Sequence, residues 1–160
     1  MPDLLTLAAD LPAVELEAGE AVVSEGERSG RVYVLEHGTL AVTRSGVAIA
    51  SIAAPGALVG ELSVLVGDPH SATVTATTPA RLRVAEDGRA FLESTPAITL
   101  LVATEVAKRL QSLVAYLADL KRQYAGAPGH DMVDTVLSQL ADGRVVAAEP
   151  GSDREPDPLY

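Results

Sequence analysis

Between positions 14 and 84 the apolar residues come in short runs set apart by turn-forming residues, which is the beat of short β-strands. Val14–Leu16, Ala21–Val23, Val32–Leu35, Thr39–Thr43, Ala48–Ile52, Thr73–Thr77 and Arg81–Val84 carry the β-branched and aliphatic side chains. Gly19-Glu20, Glu25-Gly26, His37-Gly38, Ser45-Gly46 and Pro55-Gly56 lie between them as turns. Many short strands at this spacing predict a sandwich or a barrel, two architectures that the pattern alone does not separate.

The period then changes. Asp87 is placed to cap a short helix through Phe91 and Leu92, and Thr95-Pro96 reads as an N-cap followed by proline at the first helical position. From there to Tyr124 no Gly or Pro interrupts a helical pattern. Ala103, Val106, Leu110, Leu113, Leu117, Leu120 and Tyr124 are spaced 3-4-3-4-3-4, an a/d heptad seam flanked by Glu105, Lys108, Arg109, Asp119 and Arg122. Two packings satisfy such a stripe: against the β-domain of the same chain, or against the same helix of a second copy. The strict 3.5 period and a second apolar set at Leu101, Val102 and Val114 favour burial on two sides. The expectation is a parallel homodimer with Val106, Leu110, Leu113, Leu117 and Leu120 at the interface. Gly126-Ala127-Pro128-Gly129 ends the helix as a hinge. A shorter amphipathic segment follows, with Asp131 as its cap and Met132, Val133, Val136, Leu137 and Leu140 on one face. From Glu149 to Tyr160 the chain is rich in proline and acid and reads as a flexible tail able to dock a protein partner.

Composition narrows the function classes. Apolar residues make up 48% of the 160 positions but aromatics only 3%, so the core must be aliphatic. There is no run of eighteen apolar residues, hence no expected membrane span. The first ten residues are acidic and lack a small-residue cleavage site, unlike a secretion signal. With no cysteine, no disulfide, thiolate metal site or iron–sulfur cluster can form, and a cytoplasmic location is expected. The net charge of −10 opposes DNA binding, which requires Lys and Arg to neutralise phosphates, and dense basic sequence is confined to short pairs such as Lys121-Arg122.

The chemistry concentrates in the stretch from Val59 to Val74. Gly60 permits close backbone approach, and Glu61-Leu62-Ser63 opens a short helix whose first amides can face an anion. Glu61 is placed to accept a hydrogen bond from a sugar hydroxyl. Ser71 and the Ala72 amide, at the start of the next strand, can serve a phosphate. The whole segment, Gly60-Glu61-Leu62-Ser63-Val64 through Pro69-His70-Ser71-Ala72-Thr73-Val74, resembles the phosphate-binding cassette of the cyclic nucleotide-binding domain family. That family includes the bacterial catabolite activators and protein kinase A regulatory subunits. Its pattern is Gly-Glu-Leu-Ala/Ser-Leu, a variable stretch, then Arg-Ser/Ala-Ala-Thr-Val. The resemblance runs from about Val14 to Gln123 and includes Gly19, Gly26, Gly38, Gly56 and Gly60.

What the resemblance implies is a small anionic ligand, cAMP or cGMP, held by Gly60, Glu61, Leu62, Ser63, His70, Ser71 and Ala72. This sequence departs from the family at three places. His70 stands where the family has an arginine, so a permanent fork of donors is replaced by an imidazole that offers one donor when neutral. Loss of a charge-assisted pair, roughly 1.5–3 kcal/mol, weakens binding by about tenfold to a hundredfold or more. Leu113 and Val114 stand where a catabolite activator has a Thr-Ser pair that reaches the adenine. Asp131 to Leu140 resembles only the first helix of the DNA-reading domain, and residues 143–160 hold no recognition helix.

No catalytic constellation emerges. Asp68, His70 and Ser71 compose a triad on paper, but adjacent strand residues point to opposite faces and no nucleophile elbow surrounds the serine. His37 reads as a turn residue, and His130-Asp131 lacks a second ligand pair for a metal. The expected fold is mainly β, a double-stranded β-helix or jelly roll over residues 14 to 84. Flanking short helices and a dimerisation helix over 96–124 complete residues 1–125, and a hinge, short helix and tail occupy 126–160. The expected function is regulatory and non-enzymatic, requires no cofactor or metal, and relays ligand binding through the dimer helix. The alternative is a ligand-free dimeric scaffold whose output is the C-terminal segment.

Overall fold

The computed structural model describes residues 2–123, 125 and 130–142. The chain divides into two compact units, the first ending at Glu105 and the second starting at Val106, within one long helix.

The first unit contains two four-stranded antiparallel sheets. Its strands are β1 (Ala13–Leu16), β2 (Ala21–Val23), β3 (Val32–His37), β4 (Leu40–Arg44), β5 (Val47–Ile52), β6 (Leu58–Val59), β7 (Thr73–Ala76) and β8 (Ala80–Ala85). One sheet has the order β1-β8-β3-β6 and the other β2-β7-β4-β5. Apart from the β4–β5 hairpin, consecutive strands therefore alternate between the two sheets. This is the jelly-roll sandwich that the strand rhythm and the resemblance predict. The predicted strands all form, with ends moved by one or two residues; β6, only two residues long, carries no periodic signal of its own.

Both faces of β3 are covered, and this explains its unbroken apolar run Val32-Tyr33-Val34-Leu35. Side chains alternate across a strand. Val32 and Val34 join Leu4, Leu58, Phe91, Leu92, Ile98 and Val102 in a core between sheet and helices. Tyr33 and Leu35 point the other way, into a second core with Leu40, Val59, Val74 and Leu82 between the two sheets. Leu35, Leu40 and Leu82 have no exposed surface.

The helices are α1 (Leu4–Leu7), α2 (Glu61–Val66), α3 (Gly88–Glu93), α4 (Pro96–Gln123) and α5 (His130–Ala141). Asp87 caps α3 as expected, its carboxylate accepting from the Ala90 amide at 2.9 Å. Thr95 does the same for α4, its Oγ1 accepting from the Ile98 amide at 3.2 Å, with Pro96 as the first helical residue. Ile98 and Val102 anchor the start of α4 in the first unit. In the second unit the predicted seam is uneven: Leu110 and Leu113 are each 47% exposed, whereas Val106, Leu117 and Leu120 are half-buried. Ala103, the first seam position, is exposed. Lys121 of α4 pairs with Asp134 of α5. Asp131 does not precede α5 as its cap but lies within it, because the helix starts one residue earlier, at His130. Tyr124, the hinge at 126–129 and the tail at 143–160 lie outside the described residues.

Candidate functional site

The Val59 to Val74 segment is built by a strand, a forced turn, one short helix and a return loop. Strand β6 pairs with β3, Leu58 against Val34 and Val59 against Tyr33, which fixes where the strand ends. Gly60 then turns the chain with φ +90°. A side chain is excluded there twice over: L-residues rarely adopt this φ, and a Cβ would lie 2.6 Å from the Arg31 carbonyl oxygen. The same Cβ would be 3.6 Å from His70 Cε1, so the turn places the backbone of Gly60 beside the histidine ring. Helix α2 follows and ends at Gly67, where the amide donates to the Ser63 carbonyl at 2.9 Å.

Residues 67–72 lead from α2 to β7 and run beside the separate loop, residues 24–31, that joins β2 to β3. The His70 amide donates to the Glu27 carbonyl at 2.9 Å, and the Gly26 amide donates to the His70 carbonyl at 2.8 Å. Arg28 donates from its guanidinium to the Gly67 carbonyl, and the Glu25 amide donates to Thr73 Oγ1 at 2.9 Å. These ties make residues 25–29 one wall of the site. Sequence reasoning treated Glu25-Gly26 only as a turn, and so missed the wall.

The structure brings most of the predicted residues together but gives them different environments. Glu61 is 2% exposed and His70 is 5% exposed. Ser63 is half-buried and its hydroxyl donates to the Asp68 carbonyl, so this proton is spent within the cassette. Leu62 is largely exposed on α2. Ser71 is exposed and Ala72 half-buried where the loop enters β7. His70 Nε2 lies 2.9 Å from the hydroxyl oxygen of Ser29, 41 positions away in the chain. It therefore pairs with Ser29 and not with its neighbour Ser71, and the triad composed on paper does not assemble.

Burial pushes the His70 pKa below the ordinary histidine value, and the negative charge of Glu27 opposes this in part. Burial therefore favours the neutral form of the ring. Among the described residues no group of three or more His, Asp or Glu side chains converges as a metal site. No helix among them is long and apolar enough to cross a membrane. Elsewhere in the first unit a cleft of about 370 Å³ lies between the end of α1, β8 and α3, lined by Leu7, Leu11, Ala85 and Phe91. None of its lining residues belongs to the cassette.

The cyclic nucleotide-binding domain model matches residues 13–92, half of the chain. A cAMP-dependent protein kinase regulatory subunit from Eremothecium gossypii is 38% identical over 87 residues, which is 54% of this chain and 19% of that one. The matched segment thus spans about a fifth of the curated relative's length. Among solved structures, the catabolite activator protein of Thermus thermophilus is 24% identical with a TM-score of 0.58, covering 90% of this chain and 84% of that one. The regulatory domain of Toxoplasma gondii PKA, solved with cAMP, is 21% identical with a TM-score of 0.55, covering 66% of this chain and 42% of that one. At these identities the two structures speak for the fold. The match to the family model, which includes every residue of the cassette, says more: this chain belongs to the cyclic nucleotide-binding domain family.

Proposed function

We propose that this chain is a non-catalytic regulatory module that binds a cyclic nucleotide, cAMP first and cGMP second, at Gly60, Glu61, Leu62, Ser63, His70, Ser71 and Ala72. One observation carries the reading. Among the described residues, the buried polar or charged side chains are Glu61 and His70, and both lie in the cassette. Burying such groups costs free energy unless they are hydrogen-bonded or paired, and their polar atoms are then held in fixed positions. A carboxylate suits a ribose hydroxyl, and an imidazole N–H suits a phosphate oxygen. The names of the relatives, a cAMP-dependent kinase regulatory subunit and a PKA regulatory domain solved with cAMP, support the adenine nucleotide.

The relay we propose runs through residues 96–124 as a homodimer helix. Leu110 and Leu113, on the same stripe and each about half exposed, are the surface a second copy would cover. On this reading residues 1–125 sense the ligand and 126–160 carry the output to a protein partner. Differential affinity of the ligand for two arrangements of the helix is what would drive the relay.

A second reading is favoured by the neutral, buried His70: a dimeric scaffold that no longer takes a nucleotide. Calorimetric titration of cAMP and cGMP at pH 7.5 and 5.5, into the native protein and His70→Arg, decides between them. Saturable binding that strengthens at the lower pH, and further in His70→Arg, supports the nucleotide site. Silence from both proteins at both pH values rejects it. The scaffold reading then requires that removal of residues 131–160 abolishes partner binding.

A further inference from the structure

The contact between Ser29 and His70 has a direction, and the direction decides what the site can recognise. Ser29 lies on the loop between β2 and β3, outside the cassette, and its hydroxyl oxygen makes two contacts. It accepts from the Arg31 amide at 3.2 Å and sits 2.9 Å from His70 Nε2. A hydroxyl has one proton and two lone pairs. With one lone pair taken by the Arg31 amide, the second could still accept from an Nε2–H, but the hydroxyl proton would then have no acceptor among the described residues, whereas donation to an unprotonated Nε2 uses it. Nε2 of a neutral histidine is the acceptor within reach among the described residues. When Ser29 donates, the neutral ring carries its own proton on Nδ1, since the Ser29–His70 contact and the tautomer determine each other. His70 Nδ1 has no hydrogen-bond partner among the described residues, and the ring edge at Cε1, which joins the two nitrogens, faces Gly60 at the start of the cassette. The backbone bonds between His70, Gly26 and Glu27 hold the two loops in register so that the pair can form.

We propose that Ser29 is a positioning residue of the site: by donating to His70 Nε2 it holds the neutral ring as its Nδ1–H tautomer, which presents one N–H donor to a phosphate oxygen of the ligand. This rests on the nucleotide reading above. It deepens that reading by assigning the donor that replaces the family's arginine and the residue that orients it. It also restricts the ligand: the atom that meets His70 must be a hydrogen-bond acceptor. Among charged neighbours, Glu27 acts on the ring through its field, while Arg28 is held at the Gly67 carbonyl and Arg31 at Glu86.

Two measurements on the full chain test this. The first is long-range proton–nitrogen NMR of ¹⁵N-labelled protein at pH 7.5, with the His70 signals identified by their loss in His70→Gln. The Nδ1–H form is expected in the native protein and in Ser29→Thr, which keeps the hydroxyl. Ser29→Ala is expected to move toward the Nε2–H form. The second is cAMP titration by calorimetry. Ser29→Ala is expected to bind about tenfold more weakly, the effect of one ordinary hydrogen bond, and Ser29→Thr to bind within about twofold of the native protein. A native ring in the Nε2–H form overturns the assignment of Ser29. So does unchanged cAMP affinity in Ser29→Ala when His70→Gln weakens binding. Failure of the native protein to bind cAMP overturns the nucleotide reading, and the positioning role with it. The NMR result distinguishes the two failures, because it is read without ligand.

Discussion

At Gly60 the backbone adopts φ +90°, and a methyl group added there would press to 2.6 Å on the Arg31 carbonyl oxygen. Gly60→Ala is therefore expected to destabilise the fold by about 1–3 kcal/mol, since strain of φ and a backbone clash fall on the same atom. Urea unfolding measures this directly, and a loss below about 0.5 kcal/mol would show that the turn relaxes without cost. His70 makes a different kind of prediction, in pH. Burial holds its folded-state pKa below the ordinary value of 6.5, so the unfolded chain takes up a proton first as pH falls. The stability this residue contributes is complete above pH 6.5 and is lost progressively as pH drops through the folded-state value. Chemical denaturation at stepped pH should show that slope in the native protein and a smaller one in His70→Gln. An anion bound at the ring would favour its charged form, so ligand binding near that pH is expected to take up protons.

Helix α4 behaves as two elements joined end to end. Its first turns are fixed by tertiary packing through Ile98 and Val102, whereas its later turns keep Leu110, Leu113 and Tyr116 in solvent. Leu110 and Leu113, two positions of the heptad stripe left in water, favour association with a like surface. Replacing Leu110 and Leu113 together by glutamate should convert a dimer to a monomer in sedimentation equilibrium. The thermal unfolding of the β-sandwich should be unchanged, because neither residue contributes to its two cores. A native protein that is monomeric at every concentration would reject the dimer helix. Strand β5 shows another element-scale effect. It ends its sheet, and Val47 and Ile49 are 62% and 57% exposed, so its apolar character reflects strand propensity more than burial.

On the scale of the whole first unit, stability is divided between the core under the helices and the core between the sheets. Leu82 belongs to the second and has no exposed surface. Leu82→Ala is expected to cost about 2–5 kcal/mol by removing contacts and leaving a cavity, a large share of the roughly 5–15 kcal/mol typical of a domain. Urea midpoints of the two proteins test it. Charge is organised on the same scale. Arg81 reaches Glu36 at 2.7 Å and also pairs with Glu15, and Arg83 reaches Glu36 at 3.1 Å, tying β1, β3 and β8 across one sheet. Arg83 foremost, with Arg81, holds the Glu36 carboxyl below the usual carboxylate range. Its contribution is thus present at neutral pH and lost as pH falls through that lowered value.

Residue order alone carries what short-range rules can specify. The strand rhythm, the glycine turns, the Asp87 and Thr95 caps and the Gly-Glu-Leu cassette are each written within a few consecutive residues, where period, φ preference and capping geometry act. Strand β6 and helix α1 escaped because two and four residues are too few to show a period. The start of α5 at His130, ahead of the expected cap, is a boundary that local preference does not resolve. That Glu61 and His70 are buried, and that the His70 ring meets Ser29, comes from the three-dimensional arrangement alone. Those facts depend on which loops the strand order brings together across 41 positions, and no local pattern encodes that distance. The cassette was legible in the sequence; the environment that sets its chemistry arises from pairing β2, β3, β6 and β7 in two facing sheets.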